Sequence, residues 1–143
     1  MERSASAVWN GDLKEGKGSI STQSGALAGA PYSFVTRFEN AKGANPEELI
    51  AAAHAGCFTM ALAAQLGAAK IAPESLRTNA VVTLEKLEAG WTVSKIHLDV
   101  VGRVPGISPA DFASAATGAK QNCPVSRLLN AEITMTARLE TSS

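Results

Sequence analysis

Two cysteines are the residues of this chain best suited to chemistry, and they lie in different settings. Cys57 sits within HAGCFTMALAAQLG (54–67), the most hydrophobic stretch, where burial raises the pKa of a thiol and makes it inert unless a cation compensates. Cys123 directly precedes Pro124 at a predicted helix start, where the helix dipole lowers the pKa of a thiol. On these grounds alone Cys123 is the more acidic thiol. Core packing stays open as an alternative role for Cys57, because free cysteine is among the most buried residue types.

Three further side chains could act with the thiols. Arg37, set among aromatic residues, is the candidate cation, with an exposed arginine on a sheet as the alternative. Glu48 can cap the start of the helix that begins at Pro46. Glu47 has no such structural role, so it is a candidate for chemistry, with a favourable interaction with the helix dipole as the alternative. His54 precedes Cys57 by three residues and shares its helical face. A metal site on that pair would need further ligands, and none cluster nearby. Since the chain also has no phosphate-binding glycine motif, we expect neither a metal nor a cofactor.

Composition and charge exclude several classes of protein. A length of 143 residues is typical of one domain, so we predict a single domain over 1–143. Thirteen basic residues balance thirteen acidic ones and no Lys/Arg run occurs, which argues against nucleic acid or an anionic membrane as a partner. The first 18 residues lack the apolar core of a secretory signal. We therefore expect a cytoplasmic protein without a structural disulfide.

The pattern along the chain predicts the elements that must position these residues. Six strands are indicated by alternation, β-branched content and flanking glycines, at 4–10, 17–23, 32–38, 77–88, 91–104 and 133–140. Three helix starts are marked by a capping residue followed by proline, at Asn45-Pro46, Ser108-Pro109 and Cys123-Pro124. The order βββ-α-ββ-αα-β does not alternate as a doubly wound sheet would. It predicts an α+β fold with one sheet, in which Arg37 lies on the third strand.

The long helix that begins at Pro46 raises a packing problem. From Leu49 to Ala69 it carries no Asp, Glu, Lys or Arg, and its length approaches that of a membrane span. Its Ala and Gly content, with polar residues such as Thr59 and Gln65 inside it, favours a buried central helix instead. One sheet face cannot cover a helix that is apolar on every side. We therefore predict a homodimer with this long buried helix at its centre.

Two segments carry specific motifs, TRFENAKGANPEELIAAAHAGCFTMAL (36–62) and AKQNCPVSRLLNAEITM (119–135). The order and spacing of NPEEL, HAGC and NCPVS resemble the OsmC family, the osmotically inducible branch of the OsmC/Ohr organic hydroperoxide peroxidases. The resemblance covers nearly the whole chain. It implies an intertwined α+β homodimer of OsmC-like fold with two active sites at the subunit interface. It also implies a thiol peroxidase that reduces organic hydroperoxides in oxidative and osmotic stress defence, with a dithiol as reductant, notably dihydrolipoyl groups on carrier proteins.

The resemblance assigns roles to four residues. Cys57 matches the peroxidatic cysteine, Cys123 the resolving cysteine, Arg37 the arginine that holds the thiolate, and Glu47 the glutamate that orients this arginine. The family assignment reverses the order of the thiols that the helix-dipole argument gave. It implies a sulfenic acid on Cys57, an intrachain disulfide with Cys123, and reduction by an external dithiol. Because Glu47 and Cys57 are ten residues apart on one helix, about 15 Å along its axis, we expect part of each site to come from the other subunit.

Two alternatives stay open at this stage. The first is a non-enzymatic dimer whose apolar cleft holds a small hydrophobic ligand, with both thiols used for packing. Such a protein consumes no peroxide in the presence of dithiothreitol. The second is a metal site on Cys57 and His54, which metal analysis of the purified protein would test.

Overall fold

The computed structural model describes residues 1–140 and confirms the mixed α+β fold. The elements of this part of the chain are β1 (Ala5–Asn10), β2 (Lys17–Thr22), β3 (Ala30–Tyr32), α1 (Phe34–Phe38), α2 (Pro46–Ala68), β4 (Ser75–Leu87), β5 (Gly90–Arg103), α3 (Pro109–Asn122), α4 (Pro124–Leu128) and β6 (Glu132–Leu139). They fall into two compact units, one over Met1–Leu49 and one from Ile50 onward. The expectation of one sheet is wrong, because each unit has a three-stranded sheet of its own.

The first unit contains the antiparallel sheet β1-β2-β3. At its centre Gly18 pairs with Trp9 on one side and with Tyr32 on the other. The two aromatic rings meet edge to face over this glycine, with centroids 5.3 Å apart. A Cβ at Gly18 would lie 2.5 Å from the Tyr32 ring and 2.6 Å from the Trp9 ring. The glycine therefore makes room for an aromatic contact that fixes the sheet.

The prediction of a strand over YSFVTRF is wrong from its second residue onward. Ser33 begins α1 with a capping box, in which the Thr36 hydroxyl accepts from the Ser33 N–H at 2.8 Å and the Ser33 hydroxyl accepts from the Thr36 N–H at 3.4 Å. Phe34 and Phe38 then stack one helical turn apart, with ring centroids at 5.0 Å. As a result Arg37 lies in the last turn of a short helix and not on a strand face.

The second unit contains the sheet β4-β5-β6. The predicted hairpin is confirmed as β4 and β5, which are joined by Glu88 and Ala89, and Gly90 begins β5 with a positive φ of 117°. The predicted last strand is also confirmed, as β6, and it pairs parallel with β5. A parallel pair needs a crossover connection, which α3 and α4 provide. The starts of both helices lie where the capping residues and prolines predict them.

The long helix α2 begins and ends where the sequence predicts, with the Asn45 side chain accepting from the Glu48 N–H at 2.8 Å. One stripe of α2 is buried in the core of the second unit, at His54, Phe58, Leu62 and Leu66. Outside the buried positions, about half of the residues of α2 are partly buried and half are exposed in this chain, although the sequence predicts burial on every side; Met60, for example, is 77% exposed. Of the helices in residues 1–140, α2 alone is long and apolar enough to cross a membrane. Buried core helices meet the same criterion of length and composition.

Candidate active site

The two cysteines are brought together from positions 66 residues apart in the chain. The Cys57 and Cys123 sulfurs lie 2.9 Å apart, in hydrogen-bond contact, and both thiols are free. Cys57 projects from the middle of α2, whereas Cys123 ends α3 and begins α4. Pro124 enforces that break, since it has no N–H to continue α3. A disulfide bond of about 2.05 Å requires only a small further approach of the two sulfurs.

The two thiols differ in acidity. Burial and the hydrogen bond with Cys123 raise the pKa of Cys57, and the Val125 N–H opposes them in part. Burial alone would also raise the pKa of Cys123, but the polar groups around its sulfur, first the Cys57 thiol and then Ser126 and Val125, favour the thiolate and outweigh burial, so that this pKa lies below its usual value. Within the second unit Cys123 is therefore the more acidic thiol. This is the order that the helix-start argument predicts, but hydrogen bonds contribute to it directly.

The first unit positions a guanidinium group. The Arg37 Nη2 lies 2.8 Å from Glu47 Oε1, and its Nε donates to Oε1 and Oε2 at 3.2 and 3.3 Å. The Glu47 side chain is 12% exposed and that of Arg37 is 38% exposed. Arg37 also lies over the Phe38 ring, with Cζ 5.1 Å from the centroid. Glu48, the next residue along α2, is exposed, so the two neighbouring carboxylates have different surroundings. A carboxylate held on two nitrogens of the guanidinium fork fixes the plane of the arginine.

A cavity of about 240 Å³ lies beside this guanidinium in the first unit. It is lined by the side of Arg37 and by mostly aromatic and apolar residues, namely Trp9, Leu13, Tyr32, Ser33, Phe34 and Phe38. Apolar walls with one fixed polar group are typical of sites for small organic molecules. The cavity has the chemistry to hold an alkyl or aryl group next to a cation.

A buried pair that sequence reasoning missed adjoins the thiols. His54 is fully buried, and its Nε2 lies 2.7 Å from the hydroxyl of Ser126, which is also buried. Burial lowers the pKa of His54, which keeps the ring neutral near pH 7. Because Nε2 is engaged with Ser126, the geometry does not favour His54 and Cys57 as a metal pair; residues 1–140 also contain no group of three or more His, Cys, Asp or Glu placed to hold a metal ion. In the sequence, the feature that could have singled out Ser126 is its position at the end of the motif NCPVS, three residues after Cys123.

The fold and the paired thiols define a class, α+β proteins with a two-cysteine centre. This chain belongs to the OsmC family, since the model of OsmC-like proteins matches residues 39–138. It is 49% identical over 140 residues to the Peroxiredoxin OsmC of Escherichia coli, covering 98% of each chain.

Solved structures agree in fold. An OsmC-like protein of unknown function from Vibrio cholerae superposes with a TM-score of 0.78 at 19% identity, over 96% of this chain and 99% of the other. An organic hydroperoxide resistance protein from Elizabethkingia anophelis gives a TM-score of 0.75 at 23% identity, over 99% of each chain. The resemblance to the OsmC family and the OsmC-like fold are thereby confirmed.

Proposed function

We propose that this chain reduces organic hydroperoxides to alcohols through Cys57 and Cys123. The class, a thiol peroxidase, follows from 49% identity over nearly the whole chain to a protein named a peroxiredoxin. The fold is shared with a protein named for organic hydroperoxide resistance. The observation that carries the proposal is the 2.9 Å contact between the two sulfurs, because an intrachain disulfide needs that proximity.

The proposed cycle has three steps. The Cys57 thiolate attacks one oxygen of ROOH, the O–O bond breaks, and the departing alkoxide takes a proton and leaves as ROH. Cys57 is now a sulfenic acid. The Cys123 thiolate attacks the Cys57 sulfur, the S–O bond breaks, and hydroxide leaves as water with the proton that Cys123 gave up. An external dithiol then reduces the disulfide by thiol exchange; we propose dihydrolipoyl groups on a cytoplasmic carrier protein.

In this proposal Arg37 supplies the positive charge, and Glu47 holds its guanidinium group in place. Burial raises the pKa of Cys57, so the first step requires a positive charge that favours the thiolate. The ion pair with the buried Glu47 supports the role of an orienting glutamate, since it fixes the guanidinium. The cavity beside Arg37 supports a preference for organic hydroperoxides over hydrogen peroxide.

We further propose a homodimer, with part of each site supplied by the other subunit. Supporting it is an exposed face of α2 built from small apolar residues and Met60, namely Ala52, Ala53, Gly56, Met60, Ala63, Ala64 and Gly67. A contiguous apolar face of this kind is uncommon on a monomer surface. Small side chains also allow another helix to approach closely.

The chemistry is tested by intact mass before and after one equivalent of cumene hydroperoxide. The expected result is a loss of two hydrogens that peptide mapping assigns to a Cys57–Cys123 bond. Cys123→Ser should react once and leave a sulfenic acid that dimedone traps, and Cys57→Ser should not turn over. Comparable rates with cumene hydroperoxide and hydrogen peroxide would contradict the preference for organic hydroperoxides.

A second assignment is favoured by the position of Cys123 at the break between α3 and α4, where its surroundings lower the pKa of the thiol. In it, Cys123 attacks the peroxide first and Cys57 resolves. The same two variants separate the assignments, because the dimedone adduct would then form on Cys123 in the Cys57→Ser protein. A protein that consumes no peroxide with dithiothreitol and forms no disulfide would instead be a binding module.

A further inference from the structure

Three arginines lie close together on the sheet of the second unit, one from each strand. Arg77 on β4 and Arg138 on β6 are both paired with Val101 of the central strand β5, from its two sides. Arg103 follows Val101 by two residues, so it lies on the same face of the sheet. Like charges on neighbouring strands repel one another, and the chain as a whole has no net charge. This local excess of positive charge therefore needs an explanation.

A single carboxylate, that of Glu140, balances only part of this charge. Its Oε1 lies 3.3 Å from the Arg103 Nη2, and its Oε2 lies 3.8 Å from the Arg77 Nη2. Arg138 forms no ion pair among residues 1–140. The Nε of Arg103 is buried without a hydrogen-bond partner in the same residues, which is rare for an N–H donor. Because exposed ion pairs stabilise a fold very little, stability does not account for three arginines around one glutamate.

A groove of about 630 Å³ lies beside two of the three arginines. Its charged groups are Arg103, Arg138 and Glu140, whereas Arg77 does not line it. Most of the remaining wall is apolar and is formed by Val104, Pro105, Ile107, Pro109, Ala137 and Leu139. All of these residues belong to the second unit. The volume lies within the range of about 300–1,000 Å³ that is typical of sites for small organic molecules.

We propose that this groove binds a small organic carboxylate, with the carboxylate on Arg103 and Arg138 and the apolar body against the surrounding wall. The charge of the groove selects the class of ligand. Two guanidinium groups and one carboxylate leave one positive charge, which a monoanion neutralises. A phosphate monoester carries about two negative charges and exceeds it.

The geometry of the arginines suits a carboxylate. A guanidinium group can donate two parallel hydrogen bonds to the two oxygens of one carboxylate. The ion pair with Glu140 engages only the Nη2 of Arg103, whose side chain is 43% exposed and so is open to a ligand. Arg138 is exposed and has its whole guanidinium group available for a second contact.

The groove is distant from the paired thiols. Pro109 of its wall begins α3, whereas Cys123 lies at the end of this helix of 14 residues, about 21 Å away along the axis. The proposed ligand is therefore not the hydroperoxide substrate, and the inference goes beyond the proposed function.

The test is a titration of the reduced full chain with sodium octanoate, followed by two-dimensional NMR of the Gly106 and Leu139 amides. These two amides report on the groove, so binding in the cavity beside Arg37 does not affect the readout. We expect saturable shifts of both signals. Octanol has the apolar body without the charge, and inorganic phosphate has the charge without the body. Each should bind at least about tenfold more weakly than octanoate.

Two arginine variants and a matched control locate the site. Arg138→Met removes an exposed charge that forms no ion pair, so the protein should fold like the parent while the Kd for octanoate rises about tenfold or more. Arg103→Met should raise the Kd in the same way. Arg77→Met is the control, because it removes an arginine paired with the same Glu140 but outside the groove. It should change the Kd by about threefold or less.

Three results would overturn the inference. The first is the absence of saturable shifts of the two amides with octanoate. The second is a folded Arg138→Met protein that binds octanoate with the Kd of the parent, and the third is octanol or phosphate binding as tightly as octanoate. The titration contains no peroxide and no oxidised thiol, so a chain without peroxidase activity would leave its result unchanged.

Discussion

The Arg37–Glu47 ion pair allows a quantitative test through the change Glu47→Gln. The Glu47 carboxylate accepts three hydrogen bonds of 3.3 Å or less, and its side chain is only 12% exposed. Breaking a fully buried pair costs about 3–5 kcal/mol. Arg37 is 38% exposed, however, so solvent screens its charge, and glutamine keeps one acceptor. We therefore expect the free energy of unfolding to fall by about 1–2 kcal/mol.

The neighbouring change Glu48→Gln is the matched control. Both residues lie in the first turn of α2, so each substitution loses a similar favourable interaction with the helix dipole. Glu48 is exposed, and its carboxylate forms no ion pair in the part of the chain described. The difference between the two variants, measured by urea unfolding at pH 7 and one protein concentration, isolates the contribution of the ion pair.

Activity extends the same comparison. If Glu47 orients Arg37, Glu47→Gln should lower kcat/KM for cumene hydroperoxide about tenfold or more, as expected for a mispositioned catalytic group, and Glu48→Gln should leave it near the parent value. Equal unfolding free energies for the two variants would refute the energetic argument. A Glu47→Gln protein with the parent kcat/KM would refute the orienting role even if it were less stable.

Three further outcomes are expected from the second unit. Burial lowers the pKa of His54 in the folded protein, so the unfolded chain binds more protons once the pH falls to the ordinary imidazole pKa of about 6.5. The free energy of unfolding should therefore fall below about pH 6.5, by at most about 1.4 kcal/mol per pH unit, and this component should vanish in His54→Gln. Phe58→Ala, at a fully buried position, should cost about 3–5 kcal/mol in urea unfolding, and a loss under 1 kcal/mol would contradict the packing described. Gly102→Ala would bring a Cβ to 2.6 Å from the Phe112 ring, so thermal unfolding should show a loss of about 1–3 kcal/mol; an unchanged Tm would count against that contact.

The sequence predicted most accurately the elements that local signals define. Asn45 and Pro46 define the start of α2, and Gly90 defines the hairpin turn, because capping and positive φ depend on neighbouring residues only. The segment YSFVTRF failed because its aromatics fit two periods. Phe34 and Phe38 are four apart, which places them on one face of either a strand or a helix, and only the capping box at Ser33 decides between them.

The features that the sequence did not predict depend on contacts distant in the chain. The parallel pairing of β6 with β5 depends on the path of the crossover, which no local pattern records. Ser126 acquires its significance from His54, 72 residues earlier. The two cysteines were singled out by residue type and setting, and the disulfide between them was implied by the resemblance. Their relative acidity depends on groups such as Ser126, which lowers the pKa of Cys123 only and whose direction the folded backbone sets.

The position of Cys123 between α3 and α4 sets the length of the loop that a disulfide bond to Cys57 would close. A bond between the two cysteines would close a loop spanning 66 positions, which contains the whole β4–β5 hairpin and α3. Closing a loop of that length restricts the unfolded chain by about 4 kcal/mol in the chain-entropy model. The oxidised protein would then resist heat and denaturant better than the reduced one. In each proposed catalytic cycle the fold would be more stable while the disulfide is present. It would lose this added stability when the reductant converts the disulfide back to two thiols.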